Sequence, residues 1–199
     1  MTKIYDVEIF KNNISTLKET SKDNENNKYM TELEFEVVNF DKVKDEYIRK
    51  YKTATEIRSV DSLVCINDLD SFVEFKNGVI SYYKNSEKDS DEIPEHCLKK
   101  DILYDIDWKI RDSLLVFCDV LGETISYTRQ NLDFILVYNE DKNKYRDDLK
   151  NAIFKKSNDE LVKFGFKKYE IFFRKVHTYT EKSLNRYIKG DLIWIKKDF

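Results

Sequence analysis

Three ionisable residues in one short stretch of the chain are of the types that metal-assisted phosphate chemistry requires. Asp61 stands in SVDSLV, and Glu74 and Lys76 stand in FVEFKNG. Two carboxylates offer the oxygen ligands that a hard divalent cation such as Mg²⁺ prefers. The cation stabilises charge on a phosphate, and a lysine positions or deprotonates the attacking water. The residue types therefore indicate hydrolysis of a phosphate ester as the candidate chemistry.

A β-hairpin is the element that must bring these side chains together. The local signals are a β-prone run over 60–66, a tight turn over 67–70 and a second strand over 72–80 with a turn or bulge at 77–78. Glu74 and Lys76 are two residues apart, so they point to the same face of their strand. Antiparallel pairing around the turn places Asp61 near Glu74 across the ladder. The alternative is a solvated Glu74–Lys76 pair on a half-exposed sheet, with Asp61 as a strand-entry residue.

Helices and strands are predicted on both sides of this hairpin. Before the hairpin, an alternating strand is predicted within 30–40 and a short helix over Asp41–Lys52. After it, a helix is predicted over Ile102–Leu121, ending at Gly122, and then a strand over Leu132–Tyr138 that is buried on both faces. The C-terminal part is predicted to form a helix over Tyr145–Phe164 ended by Gly165, a strand over 169–179, and a last helix through Ile188 that is capped by Thr178 and Glu181. Residues 18–29 predict a loop or mobile arm, and residues 84–100 an insertion loop. This order predicts an α/β fold with a mixed central sheet and flanking helices.

Composition bounds the class of protein. The 199 residues are 41% hydrophobic and 37% charged with a net charge of −3, which supplies one core and excludes a wholly disordered chain. The three cysteines form no CxxC pair and there are two histidines, so a zinc site is not expected. The four glycines form neither GxGxxG nor a Walker loop. Because there is no apolar run of about 18 residues and no basic-then-apolar leader, we expect a single-domain, cytoplasmic protein with no membrane contact.

The small net charge hides an asymmetry along the chain. Residues 142–199 carry 16 Lys and Arg against 8 Asp and Glu, whereas residues 1–141 carry 19 against 30. A basic C-terminal extension over about 142–199 could face a polyanion. The simpler interpretation is a set of solvated helix faces.

Asp61, twelve intervening residues and then Glu74-Phe75-Lys76 resemble the PD-(D/E)XK nuclease superfamily. The core of that superfamily runs helix, three strands, helix, strand, with the aspartate on the second strand and the E-x-K on the third. Residues from about 41 to 138 supply most of that order, so the resemblance implies a restriction-endonuclease-like core. Val60 departs from the proline that usually precedes the aspartate. Glu46 is the candidate for the acid that many members add from the first helix.

The resemblance implies a metal-dependent nuclease that hydrolyses phosphodiester bonds of nucleic acid, DNA rather than RNA, as an endonuclease or an exonuclease. It implies Mg²⁺ or Mn²⁺ held by Asp61, Glu74 and the backbone carbonyl of Phe75, with Lys76 as the catalytic lysine. Two basic residues on the helix after the motif, Lys109 and Arg111, are candidates for contact with nucleic-acid phosphates. A solvated helix face is the simpler alternative for these two. Because many such nucleases dimerise to cut two strands, a homodimer or another protein partner is compatible with the resemblance.

Two other functions stay open at this point. A non-catalytic, nuclease-like interaction protein, with a defence, counter-defence or scaffold role, would bind a protein or nucleic-acid partner. The acidic balance of residues 1–141 favours that hypothesis. A phosphate-directed enzyme acting on small nucleotides would use the same three residues. Metal affinity separates the enzymes from the interaction protein, and the length of the cleaved substrate separates the two enzymes.

Overall fold

The fold is that of a computed structural model, which describes residues 3–52, 56–66, 69–84, 95–143 and 162–194. Its strands are β1 (Ile14–Thr16), β2 (Lys22–Asp23), β3 (Lys28–Tyr29), β4 (Glu36–Asn39), β5 (Ser62–Ile66), β6 (Leu69–Lys76), β7 (Ser81–Lys84), β8 (Glu95–Leu98), β9 (Leu132–Tyr138) and β10 (Val176–Thr180). Its α-helices are α1 (Glu8–Lys11), α2 (Leu17–Thr20), α3 (Phe40–Tyr51), α4 (Lys100–Leu121), α5 (Ile125–Asn131) and α6 (Glu181–Trp194), and 3₁₀ helices span Lys3–Asp6 and Phe166–Ile171.

Six of these strands form one mixed sheet in the order β1-β4-β5-β6-β9-β10. The pairs from β1 to β6 are antiparallel, whereas β6, β9 and β10 are mutually parallel. Strands β2 and β3 form a small separate hairpin, and so do β7 and β8. Helices pack on both faces of the main sheet, so the predicted α/β class with a mixed central sheet and flanking helices is confirmed.

The strongest sequence patterns produce the central elements. All seven residues of β9 are buried, as expected for a parallel strand covered on both faces. Helix α4 buries Ile106, Ile110, Leu114 and Phe117 along one face, and Gly122 ends it in the left-handed conformation at φ 66°. Because β6 and β9 are parallel, the chain must cross over between them, and α4 forms most of that crossover.

The two faces of β6 contribute to two apolar layers. Phe72 packs with Phe117 and Phe134 on the face covered by α3 and α4. Val73 and Phe75 pack on the opposite face, in a layer that also contains residues of α2 and α6. Because side chains alternate along a strand, Glu74 points toward the α4 face. A carboxylate buried there can stay charged only if neighbouring side chains pair with it.

Several predicted elements differ from those observed. Helix α3 agrees with the predicted 41–52 helix, but it lies between the first and second strands of the β4-β5-β6 series rather than before them. The predicted loop over 18–29 contains α2 and the β2–β3 hairpin, and part of the predicted insertion over 84–100 forms β8, which pairs with β7. Most of the predicted 145–164 helix lies outside the described residues, and the described part, 162–164, is irregular.

The end of the described chain also departs from its prediction. The expected 169–179 strand begins only at Val176, after the 3₁₀ turn. The capping residues of the last helix are Thr180 and Ser183, because the Ser183 N–H donates to Thr180 Oγ1 at 3.2 Å. The predicted Thr178–Glu181 cap is wrong, because Thr178 lies inside β10, paired with Leu136.

No helix within the described ranges combines the length and the apolar character that crossing a bilayer would require.

Candidate active site at the end of strand β6

The β5–β6 hairpin brings Asp61 and Glu74 together, as its register requires. Ser62 pairs with Val73, so Asp61, one residue before the ladder, faces Glu74. The Phe75 backbone N–H donates a 2.6 Å hydrogen bond to Asp61 Oδ2. Phe75 lies two residues past Val73, the last residue of β6 that pairs with β5. The Asp61 side chain therefore accepts an amide that this ladder leaves open. This bond orients one oxygen of Asp61 and directs the other toward α4.

Glu74 is fully buried, with an exposed fraction of 0%. Its Oε1 atom lies 2.8 Å from Lys109 Nζ and 3.2 Å from Lys76 Nζ. Its Oε2 atom is buried and has no hydrogen-bond partner among the described residues. The alternative of a solvated Glu74–Lys76 pair is therefore wrong for Glu74, whose charge is balanced by ammonium groups rather than by water.

Helix α4 supplies the other half of the cluster. Lys109 Nζ lies 3.5 Å from Asp61 Oδ1, so this ammonium bridges Asp61 and Glu74. One turn earlier, Asp105 Oδ2 lies 2.9 Å from Lys76 Nζ, and Asp105 Oδ1 lies 3.0 Å from Arg58 Nη1. Three carboxylates thus alternate with three cations. We call these six residues the ionic cluster: Arg58, Asp61, Glu74, Lys76, Asp105 and Lys109.

The arrangement shifts the pKa values of the ionic cluster. Burial, reinforced by the neighbouring Glu74, raises the pKa of the Asp61 carboxyl to about 7. Burial alone would lower the pKa values of Lys76 and Lys109, but attraction to Glu74 outweighs it and the pKa of each lysine is raised. Burial would raise the pKa of Asp105, but its hydrogen bond with Lys76 lowers it. At neutral pH both lysines therefore carry a proton, and the Asp61 carboxyl titrates near neutrality.

A cavity of about 440 Å³ gives access to this cluster from one side. Asp61, Phe75 and Lys76 form part of its wall, and Asn77, Gly78 and Lys142 extend that wall. The β2–β3 hairpin, with residues 20–26, forms the opposite wall. A larger cavity of about 590 Å³ lies elsewhere, between the C-terminal half of α4, the start of α5 and Phe172.

The other predicted site residues have separate surroundings. Arg111 forms an ion pair with Asp107 at 2.8 Å and lies over the Phe172 ring, next to the larger cavity and not in the ionic cluster. Glu46 accepts a 2.8 Å hydrogen bond from Asn13. The predicted contact of Lys109 and Arg111 with nucleic acid stays a prediction.

Three residues at the site were missed at the sequence level: Arg58, Asp41 and Asp105. Asp41, at the start of α3, accepts a 2.5 Å hydrogen bond from Ser59 and contributes to the raised pKa values of Asp61 and Lys109. Asp105 carries the link between Lys76 and α4. The sequence does contain a pattern that points to Asp105. It lies four residues before Lys109 on the predicted helix, next to the apolar residues that form the buried face of that helix.

The oxygen atoms at this site are suitable ligands for a hard divalent cation, but they are few. Asp61 and Glu74 provide carboxylate oxygens, and the Phe75 carbonyl points to the same edge of β6 as its N–H does, toward Asp61. The buried Glu74 Oε2 is a further oxygen with no protein donor among the described residues. Within those residues no group of three or more His, Cys, Asp or Glu side chains could hold a metal. Because the Lys109 ammonium already bridges both carboxylates, a cation held by both requires that ammonium to move.

Comparisons with protein-family models, with curated proteins and with solved structures find no match to this chain.

Proposed function

We propose that this chain is a metal-dependent nuclease that hydrolyses phosphodiester bonds of nucleic acid, on a restriction-endonuclease-like core. The observation that carries the proposal is the convergence of Asp61, Glu74 and Lys76 at the end of β6, beside a cavity. The order β4, β5, β6, α4, β9 supports it, because three strands, a helix and a strand follow one another as in the PD-(D/E)XK core. The position of α3 between β4 and β5 departs from that order. The preference for DNA over RNA rests on the resemblance alone.

In this proposal Asp61, Glu74 and the Phe75 carbonyl would hold Mg²⁺ or Mn²⁺. When bound, the ion supplies positive charge that stabilises the phosphate oxygens during attack by water. The Phe75 N–H fixes the orientation of the Asp61 carboxylate. Lys76 acts as a hydrogen-bond donor to a phosphate oxygen and not as a base, because its raised pKa keeps it protonated. Asp105 is a positioning residue, since it holds the Lys76 ammonium at 2.9 Å.

The test is a cleavage assay with plasmid, linear duplex, single-stranded DNA and RNA, each with Mg²⁺, Mn²⁺ or EDTA. We expect metal-dependent cleavage by the unmodified protein and none by Lys76→Ala. Lys175→Ala is the matched control, because Lys175 is an exposed lysine outside the ionic cluster. Circular dichroism of each variant checks that it is folded. Cleavage by Lys76→Ala at the normal rate overturns the assignment of the site.

A specific observation favours the second candidate, a non-catalytic interaction protein on the same fold. The three carboxylates of the ionic cluster are already paired with three cations, and Lys109 bridges the two proposed metal ligands. Such a cluster serves as a structural network if no cation displaces Lys109. Isothermal titration of Mn²⁺ into the unmodified protein and into Glu74→Gln separates the two candidates. Binding that Glu74→Gln abolishes supports the nuclease, and no binding to the unmodified protein supports the interaction protein.

A further inference from the structure

The β2–β3 hairpin lies on the cavity side of the ionic cluster, and its turn contains its own hydrogen bonds. Asp23 Oδ1 accepts hydrogen bonds from the N–H groups of Glu25 and Asn26, at 3.0 and 3.2 Å. Asn27 completes the turn with a φ of 47°, a left-handed conformation that asparagine tolerates well. The polar sequence of this segment therefore forms a defined turn rather than a loop without structure.

Hydrogen bonds attach this hairpin at its tip and at its base. At the tip, Asn77 Nδ2 donates to Asp23 Oδ2 at 2.6 Å, and Asn139 Nδ2 donates to Asn77 Oδ1 at 2.7 Å. At the base, the buried Ser21 Oγ accepts from the N–H groups of Met30 and Thr31, both at 3.2 Å. Because Asn77 directly follows Lys76, the tip is attached beside the ionic cluster. We call the contacts between Asp23, Asn77 and Asn139 the hairpin tether.

The tethered hairpin limits the space in front of the cluster. The cavity between the hairpin and β6 has a volume of about 440 Å³, near the lower end of the roughly 300–1,000 Å³ that sites for small ligands occupy. That volume can hold one nucleotide. A continuous duplex brings a second strand beside the reacting one, so it needs more room in front of Asp61 and Lys76 than a cavity of this volume, walled by the hairpin, offers. A single strand avoids this conflict because its backbone and bases can turn into a narrow site.

The walls of the cavity carry groups that suit a single nucleotide. Outside the ionic cluster, Lys22 on the hairpin and Lys142 on the facing wall add two positive charges, and Glu25 at the turn of the hairpin adds one negative charge. The Asp23 carboxylate, although it also faces the cavity, is engaged by Asn26 and Asn77. Backbone phosphates on either side of the reacting nucleotide can therefore meet a lysine on each wall.

We propose that the β2–β3 hairpin makes the candidate active site selective for single-stranded nucleic acid by admitting one nucleotide at a time to the cavity in front of Asp61 and Lys76. This inference rests on the proposed function, since it names the substrate class of the same site. The hairpin tether is the specificity-determining contact, and no residue of the tether takes part in the chemistry.

The first experiment compares cleavage of one labelled strand, alone and in a blunt duplex, with Mg²⁺ or Mn²⁺ present. We expect the unmodified protein to cleave the single strand at least about tenfold faster than the duplex. Asp23→Ala removes the tether and the turn hydrogen bonds, so it should bring the two rates together mainly by raising the duplex rate. Lys28→Ala, an exposed position on the same hairpin, should preserve the preference. Equal rates for the unmodified protein, or an unchanged preference in folded Asp23→Ala, overturn the inference.

A binding experiment separates this inference from the proposed function. Fluorescence anisotropy measures binding of a labelled oligothymidylate and of a matched duplex to Lys76→Ala in Ca²⁺. The inference is supported if the single strand binds more tightly than the duplex and if this preference is lost on adding Asp23→Ala or on shortening the turn at 24–27. This holds even if the unmodified protein cleaves nothing. Equal affinity for the two probes overturns it, even if cleavage is observed. The shortened-turn variant covers the case in which Asp23→Ala does not fold.

Discussion

Replacing Lys109 by methionine removes the ammonium that bridges Glu74 and Asp61 and keeps a side chain of similar length. Lys109 is only 20% exposed and Glu74 is 0% exposed, so the change leaves a buried carboxylate short of one of its two ammonium contacts. Removing one partner of a buried ion pair costs about 3–5 kcal/mol. Because Lys76 still contacts Glu74, and Asp61 can take up a proton, we expect a loss near 3 kcal/mol. For a chain of this size that corresponds to a fall in Tm of about 6–12 °C.

Urea unfolding followed by circular dichroism, at pH 7.5 in EDTA, measures this loss in a double-mutant cycle. The cycle contains the unmodified protein, Lys109→Met, Glu74→Gln and the double variant. If the two residues form one contact, the double variant should lose less than the sum of the single losses, by about 1–3 kcal/mol. Lys100→Met, an exposed position on the same helix, is the control and should change stability by no more than about 0.5 kcal/mol.

The same cycle tests whether a divalent cation can replace the Lys109 ammonium. In Lys109→Met the two carboxylates are left without their bridging cation, so excess Mg²⁺ should restore stability, by about 2.7 kcal/mol at a hundredfold excess over Kd. The double variant should gain nothing from Mg²⁺. A loss below about 0.5 kcal/mol in Lys109→Met, or strict additivity, would refute the bridging argument. No response of Lys109→Met to Mg²⁺ would refute the metal site.

Three further substitutions probe the pKa shifts and the core. Asp61→Asn should gain stability relative to the unmodified protein as the pH rises from 4 to 8. Burial raises the pKa of Asp61 to about 7 in the folded state, whereas the pKa in the unfolded chain is about 3.9. The unmodified protein therefore loses stability as the pH rises through that window. Urea unfolding at both pH values checks this, and a gain independent of pH contradicts it. Asp133→Asn should cost about 3–5 kcal/mol at pH 7 and less at pH 3. Arg174 engages both oxygens of this buried carboxylate. Hydrogen bonds with His177 and Arg174 lower the pKa of Asp133 against the effect of burial, so the contribution of Asp133 disappears as the pH falls. Equal losses by urea unfolding at the two pH values would contradict that assignment. Phe72→Ala should cost about 3–5 kcal/mol, since the buried ring has its centroid 5.0 Å from that of Phe40; a loss below about 1 kcal/mol in thermal unfolding would show that this core relaxes.

Local patterns were sufficient for the elements that carry the site. The β-prone pattern of β6, the helical stripe of α4 and the apolar run of β9 are short-range signals, and each predicts the observed type of element. The bounds of β6 differ, because the strand predicted over 72–80 is observed over Leu69–Lys76 and so includes two residues of the predicted 67–70 turn. The proximity of Asp61 to Glu74 follows from the register of one hairpin, so it too could be predicted. Asp105 could not be assigned a role, because its contact with Lys76 depends on how α4 lies across the sheet.

The parts that were missed depend on contacts between distant residues. The β2–β3 hairpin has no apolar stripe, and its position depends on Asp23 and Asn77, which are 54 residues apart. The cap of α6 was placed two residues too early because the T-x-x-E pattern at Thr178 is a local signal. Pairing with β9 extends β10 as far as Thr180, so the strand includes Thr178 and the helix begins later.

Two of the buried carboxylates of the central parallel strands, Asp133 and Glu74, show how a structural ion pair differs from a candidate site. Asp133 on β9 has both oxygens hydrogen-bonded to Arg174, and it does not line the cavity near β6. Glu74 on β6 shares one oxygen between two lysines and leaves the other without a donor among the described residues. Its neighbours Asp61 and Lys76 line that cavity. A fully paired carboxylate holds a fold together, whereas an incompletely paired one beside a cavity costs stability. The buried second oxygen of Glu74 therefore distinguishes the ionic cluster, rather than the Asp133–Arg174 pair, as the candidate site.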